Sequence, residues 1–212
     1  MTRPTDLLPE GLEDRLPASA ARITTAMRAC LDVLHAHGYD RVRPPLLEFE
    51  RSLASRMRGL RTQAMFRFVD PASLRTLALR SDITPQVGRI AGTSMKRAPR
   101  PLRLAYCGDT ALIRANQLDP ARERLQLGAE LVGADTVAAA SEIVGVAIEA
   151  LQAAGLGGIS VDFTLPDLVD TLAARDGDTD PDRIEAVRRE LDTKDAGGLR
   201  AVRYGVTKHH VL

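Results

Sequence analysis

Two stretches of the sequence carry residue types suited to recognition chemistry. In Arg124–Gly133, Gln126 and Glu130 alternate with Leu125, Leu127, Ala129 and Leu131. A strand repeats every two residues, so Gln126, Gly128 and Glu130 share one face and the apolar residues share the other. A carboxylate and an amide then flank a residue with no side chain. That arrangement makes a small concave site with room for a ligand against the backbone. A solvated polar face with a structural glycine fits the same spacing. The second stretch is Ser81-Asp82-Ile83-Thr84-Pro85-Gln86. A carboxylate and a hydroxyl at a strand end can grip an ammonium group. The same pattern serves helix capping, with Thr84 as N-cap and Pro85 at the first helical position.

Other candidates have structural readings. His35 and His37 fall in the last turn of a helix, where positive charge complements the dipole. Arg51, Arg56, Arg58 and Arg61 read as a solvated face, because no aromatics interleave for base stacking. The acidic run 175–183 lacks the ligand ladder and closing Glu of a calcium loop. Cys30 and Cys107 form no zinc-type spacing, and Cys107 reads as packing on an alternating strand. No metal site is expected. No Walker loop, GxGxxG turn, GxSxG elbow or HExxH helix occurs.

The elements that must position these residues follow from periodicity. Ile23, Met27, Cys30/Leu31 and Leu34 mark a helix, with Ser19 placed to help cap it and Gly38 ending it. Alternation through Val42 predicts a strand that Pro44-Pro45 cuts off at an edge or junction. Met65–Val69 and Arg75–Arg80 read as strands joined by a turn at Asp70-Pro71-Ala72-Ser73. A helix from Thr84 to about Gly92 precedes a strand at Leu102–Gly108, and residues 109–122 hold a further short strand and a polar loop. Thr136–Ala154 is a helix with Ile143, Val146/Ala147 and Leu151 on one side, broken by Gly155–Gly158. Ile159–Phe163 reads as a strand, and Pro166–Ala174 and Ile184–Leu191 as helices. Hairpin-length connections favour an α+β fold with a mainly antiparallel sheet flanked by helices.

Composition narrows the class. The 212 residues hold 29 Lys+Arg against 28 Asp+Glu, which argues against coating nucleic acid or an anionic membrane. The cations are 26 Arg and only three Lys. Hydrophobic residues at 44% exclude a wholly disordered chain, and aromatics at 3% leave the core to Leu, Val, Ile and Ala. No apolar run approaches the ~20 residues needed to span a bilayer, and the N-terminus has no secretory signal. A cytoplasmic protein is expected.

Several segments together resemble a known family. His37–Glu48 resembles motif 1 of class II aminoacyl-tRNA synthetases, where a helix and strand build the dimer interface. Leu79–Gln86 resembles the substrate-amine loop of histidyl-tRNA synthetases. Pro101–Gly133 covers motif 2, and its ending, Gln126-Leu127-Gly128-Ala129-Glu130-Leu131-Val132-Gly133, is specific to the histidyl branch. The resemblance spans roughly residues 1–165. It implies an incomplete class II synthetase-like core over 1–174, the start of an insertion at 175–198 and a divergent tail at 199–212. It also implies a histidine-like pocket of Asp82 (usually Glu in the family), Thr84, Gln126 and Glu130.

Motif 2 of the synthetases reads Phe-Arg-x-Glu, with the arginine on the ATP α-phosphate. Here the matching positions are Leu112 and Arg114. Leucine offers neither charge nor donors, so bidentate phosphate recognition is lost. The resemblance therefore implies a site that binds histidine without adenylating it. That combination, with Asp162–Pro166 and Val187–Ala196, resembles regulatory subunits of ATP phosphoribosyltransferase, a glycosyltransferase at the first step of histidine biosynthesis. The expected partners are the short-form catalytic subunit and a second copy joined through the motif 1 region, with histidine as feedback ligand and no cofactor. Family members continue beyond this point into motif 3 and a tyrosine-bearing loop, so the chain reads as truncated or frameshifted. The alternatives are a fragment of an active histidyl-tRNA synthetase and a tRNA-sensing module using Arg51–Arg61 and Lys96–Arg103.

Overall fold

A computed structural model describes residues 7–55, 65–113, 120–163, 167–177 and 180–192, together with Gly198. The chain divides into two compact units, residues 1–159 and 160–212. The first runs α1 (Pro17–Ala36), β1 (Asp40–Arg41), β2 (Leu47–Phe49), α2 (Glu50–Ala54), β3 (Arg67–Val69), β4 (Thr76–Leu79), α3 (Thr84–Gly92), β5 (Leu102–Ala111), β6 (Glu123–Val132) and α4 (Val137–Ala153). The second holds α5 (Leu168–Asp176) and α6 (Pro181–Asp192), tied by Arg188 Nη2 donating to Asp170 Oδ1 at 2.9 Å.

The first unit is α+β and mainly antiparallel, as the short connections require. β5 and β6 pair antiparallel over ten residues each, with Tyr106 opposite Gly128 and Gly108 opposite Gln126. β1 adds in parallel along the other edge of β5. A second sheet has the order β2-β4-β3. Pro44 and Pro45 lie between β1 and β2, so the double proline is the junction where the chain leaves one sheet for the other. The turn from β3 to β4 is fixed by Asp70, whose carboxylate accepts the amides of Ala72 and Ser73 at 3.2 Å each and the Ser73 hydroxyl. The Ser73 bond is the main reason its carboxyl titrates below the ordinary aspartate range.

Strand alternation sorts the core onto two faces of the β5–β6 hairpin. Leu102, Leu104 and Tyr106 join Ile83, Val87 and Ala91 of the α3 segment. Ala105 joins Leu34 and Tyr39 near the end of α1 and Val146 of α4, with Leu127 and Ala129 packed beside them. The helix faces are linked by polar contacts as well. Tyr39 and Arg103 both bond Glu142, His37 Nε2 meets Glu149 at 2.7 Å, and Cys30 Sγ donates to Ala150 O at 3.3 Å.

Several local expectations need correction. Ser19 does not cap α1; the helix begins at Pro17 behind Leu16, with no side-chain cap bond, because proline already suits the first turn. Residues 109–111 are not a separate strand. They extend β5 and pair with Glu123–Leu125. Leu151 lies on the exposed side of α4 at 40% exposure, while Val146 and Ala150 are buried. Ile159–Phe163 is not a strand; no ladder partner lies beside it among the described residues, and Phe163 is 75% exposed. Thr136 caps α4 through the Ala139 amide at 3.1 Å. No helix among the described residues is long and apolar enough to cross a membrane.

Candidate functional site

Arg80 sets the position of the segment that carries Asp82 and Thr84. It follows β4 directly and is 6% exposed. Its amide donates to Leu46 O at 3.1 Å, and its carbonyl accepts from Ala111 N at 3.0 Å. Its guanidinium donates to Asp109 O at 2.7 Å and Pro44 O at 2.9 Å. One side chain thus ties both sheets and the proline junction. Gly108 is required beneath it, because a Cβ there would collide with Arg80 Nη2. Burial pulls the guanidinium below its ordinary value, partly offset by Asp109.

Over this anchor the chain turns into α3. Asp82 Oδ1 accepts the Thr84 amide at 3.0 Å and the Gln126 Nε2 group at 2.8 Å. Gln126 Oε1 accepts the buried Ile83 amide at 2.9 Å. Thr84 is therefore not the helix cap. It is the first helical residue, and Asp82 satisfies its amide instead. That frees the Thr84 hydroxyl, which meets the Tyr106 hydroxyl at 3.0 Å. Tyr106 in turn donates to Glu130 Oε1 at 3.3 Å.

The four sequence-derived residues Asp82, Thr84, Gln126 and Glu130 are thus brought together, with Tyr106 as the link between them. Tyr106 was not a candidate from the sequence. Gly128 opposite it was the available signal. A Cβ on Gly128 would lie 2.5 Å from the Tyr106 hydroxyl oxygen and 2.6 Å from Cζ. The gap at Gly128 is filled by the tyrosine rather than left open for a ligand, which corrects the sequence reading. Burial is the main reason the phenol is pushed up to about 12, with Glu130 and Asp82 adding to it.

One turn along α3, Gln86 and Arg89 hold Glu48 of β2. Arg89 Nε donates to the Glu48 carboxylate at 3.0 and 3.2 Å, and its Nη2 contacts Oε1 as well. Gln86 Nε2 donates to Pro45 O at 2.8 Å and Glu48 Oε1 at 3.1 Å. The helix that carries Thr84 is therefore clamped to β2 and the proline junction before it.

Leu112 follows β5 directly. Its amide donates to Arg122 O at 2.8 Å, and its carbonyl accepts from Arg122 Nε at 3.2 Å. Its apolar side chain offers nothing to a phosphate. Arg114, Arg56, Arg58, Arg61 and residues 199–212 lie outside the described residues. A separate cavity of about 550 Å³ lies beside the N-terminal segment and is lined by Ile23, Asp109, Glu123 and Leu125, none of which is a candidate residue. Among the described residues, no cluster of His, Cys, Asp and Glu is placed to hold a metal ion.

The chain matches the histidyl-tRNA synthetase family over residues 11–210. It is 40% identical to the ATP phosphoribosyltransferase regulatory subunit of Paramagnetospirillum magneticum over 92% of this chain and 51% of that protein. It is 41% identical to the subunit of the same name from Rhodospirillum rubrum, over 89% of this chain and 49% of the relative. A crystal structure described as an ATP phosphoribosyltransferase regulatory subunit/histidyl-tRNA synthetase from Bacillus halodurans superposes with a TM-score of 0.79 at 29% identity, covering 100% of this chain and 54% of that one. The chain spans about half the length of the curated relatives it matches. The motif 2 hairpin, the strand–helix turn at Asp82 and the family match agree: this chain belongs to the histidyl-tRNA synthetase family.

Proposed function

We propose that this chain is part of a non-catalytic regulatory subunit of ATP phosphoribosyltransferase. It supports the short-form catalytic subunit at the first step of histidine biosynthesis and binds histidine as feedback ligand. The observation that carries this reading is the pairing of an organised acceptor pocket with Leu112 where the synthetases place their phosphate-binding arginine. Asp82 and Thr84 face the amine, and Glu130 faces the ring. Gln126 holds Asp82. Activation of an amino acid needs a clamp on the ATP phosphates, and leucine supplies none. The names of the relatives at about 40% identity support the same role.

The reading includes self-association through the motif 1 region, His37–Glu48. Feedback then requires histidine to bind one assembly state more tightly than another. The Glu48–Arg89 contact supports such a link, since it joins the motif 1 strand to the pocket helix. The test is co-purification of this chain with a short-form ATP phosphoribosyltransferase, with and without histidine, beside a full-length relative as control. Association that changes with histidine supports the reading. Histidine-dependent ATP–pyrophosphate exchange overturns it in favour of an active synthetase fragment.

A further inference from the structure

The β5–β6 hairpin has two faces, and Asp82, Thr84, Gln126 and Glu130 gather on one of them. On the other, Asp109 lies opposite Leu125 and Ala111 opposite Glu123, in line with Leu127 and Ala129, which pack towards α1 and α4. That helical cover thins towards the start of α1, and Leu125 is left 43% exposed. The N-terminal segment crosses here instead. Gly11 O accepts the Arg122 amide at 2.8 Å, and Glu10 O accepts Arg122 Nη1 at 3.1 Å. Gly11 takes a φ of +79°, and a Cβ on it would lie 2.5 Å from Pro120 O. The space left between this segment, α1 and the hairpin is the cavity of about 550 Å³. That volume is in the range of small-molecule sites.

Its walls decide what fits. Ile23 and Leu125 are apolar. Glu13 and Arg15 neutralise each other at 2.6 Å. Asp109 and Glu123 also line the cavity, and among the described residues neither carboxylate has a hydrogen-bond or ion-pair partner. Arg80 attracts Asp109, but its guanidinium donates to the main-chain oxygens of Asp109 and Pro44 rather than to a carboxylate. Two negative charges thus stand beside apolar side chains without a counter-ion. A neutral ligand would leave them so, and an anion would be repelled. A cation on an apolar stem matches both parts of the wall.

We propose that this cavity is a second binding site, on the opposite face of the hairpin from the Asp82–Glu130 pocket, for a short aliphatic cation. The ligand carries a guanidinium or primary ammonium group on a stem of about four carbons, the length of an arginine or lysine side chain. Asp109 and Glu123 receive the charge, and Ile23 and Leu125 pack on the stem. Free aliphatic amines and the basic side chains of a partner protein share this chemistry. The proposal does not depend on the reading of the other pocket as a histidine site.

The test is calorimetric titration of the 212-residue chain with three probes. Agmatine carries a guanidinium and an ammonium on one aliphatic stem, acetyl-arginine amide presents the guanidinium as a protein would, and butanediol is a neutral stem. At least one of the two cations is expected to bind saturably, and butanediol is not. Asp109→Asn and Glu123→Gln keep the shape of the wall and remove its charge. Each is expected to weaken binding of the cation about tenfold, as loss of one charge-assisted contact does. Thermal unfolding checks that the variants are folded, and Glu123→Gln carries the test should the loss of charge beside Arg80 unfold Asp109→Asn. Tighter agmatine supports the proposal with a free amine as the source, and tighter acetyl-arginine amide supports it with a partner's side chain. No saturable binding of either cation, equal binding of butanediol, or unchanged cation affinity in folded Glu123→Gln overturns it.

Discussion

Arg103 on β5 and Glu142 on α4 form a two-pronged ion pair, with Nε 2.6 Å from Oε1 and Nη2 2.7 Å from Oε2. Tyr39 adds a third donor to the same carboxylate at 3.0 Å. These bonds, that from Arg103 foremost, hold the Glu142 carboxyl below its ordinary value of 4.5. A carboxyl depressed in the folded state contributes stability above its unfolded value. That contribution is lost as pH falls through the folded value. Glu142→Gln is therefore expected to lower stability at pH 7 and to flatten the loss of stability below about pH 4.5. Urea unfolding at a series of pH values reads both effects, and parallel curves for the two proteins would contradict them.

Alkaline behaviour follows from the tyrosines. Burial is the main cause that pushes Tyr39 and Tyr106 up to about 12 each. A raised value in the folded state contributes stability fully present below the ordinary value of 10.0 and lost as pH rises towards 12. Absorbance titration near 295 nm is expected to show two of the chain's three tyrosines ionising late, together with unfolding. All three tyrosines titrating near 10 in a folded protein would contradict the burial of both phenols.

Much of this was legible because it is local. The period-two alternation of Leu125–Leu131 gave the two faces of β6, Asp70–Ser73 gave its turn, and Thr136 gave the start of α4. What escaped is set by register. Tyr106 is one of several residues on β5, and only its pairing with Gly128 puts its hydroxyl between Thr84 and Glu130. The cap at α3 escaped for a related reason. Thr84 has the residue type of an N-cap, but it is the first helical residue and its amide is taken by Asp82, which the Gln126 amide from a distant strand also holds. Ile159–Phe163 has the residue types of a strand, but a strand also needs a neighbour to complete its hydrogen bonds.

Gln126 and Glu130 share a face yet differ in what they support. Removing the Gln126 side chain leaves the fully buried Ile83 amide without its acceptor. Gln126→Ala is expected to cost about 1–3 kcal/mol of stability and to weaken histidine binding by about tenfold. Glu130→Ala is expected to weaken binding by a similar factor with a smaller change in stability, since among the described residues its side chain bonds only a hydroxyl, at 3.3 Å. Calorimetry and denaturant unfolding on both variants separate the two roles. Unchanged histidine affinity in both would remove these residues from the pocket.

Gly128→Ala tests the close approach directly. The added methyl meets the Tyr106 ring carbon at 2.6 Å as well as its oxygen. The buried ring must shift, which costs about 1–3 kcal/mol. Tyr106→Phe removes the oxygen contact but leaves the carbon contact, so the double variant is expected to stay less stable than Tyr106→Phe alone. Thermal unfolding of the four proteins checks this; full recovery in the double variant would mean that the oxygen alone fills the gap.

Leu112→Arg tests the proposal that the site binds its ligand without adenylating it. Arg122 beside it is turned away, donating to Leu112 O at 3.2 Å and Glu10 O at 3.1 Å, with its guanidinium 4.9 Å from the centre of the Phe66 ring. An arginine at 112 adds a second guanidinium whose planar fork suits a phosphate. One charge-assisted, two-pronged contact corresponds to about a tenfold to hundredfold gain in ATP affinity, and the gain should shrink at high salt. Binding of ATP measured at low and high ionic strength reads both. Affinity that matches the unaltered chain at low salt would show that Leu112 does not occupy the phosphate position, and the proposed loss of adenylation would have to rest on other residues.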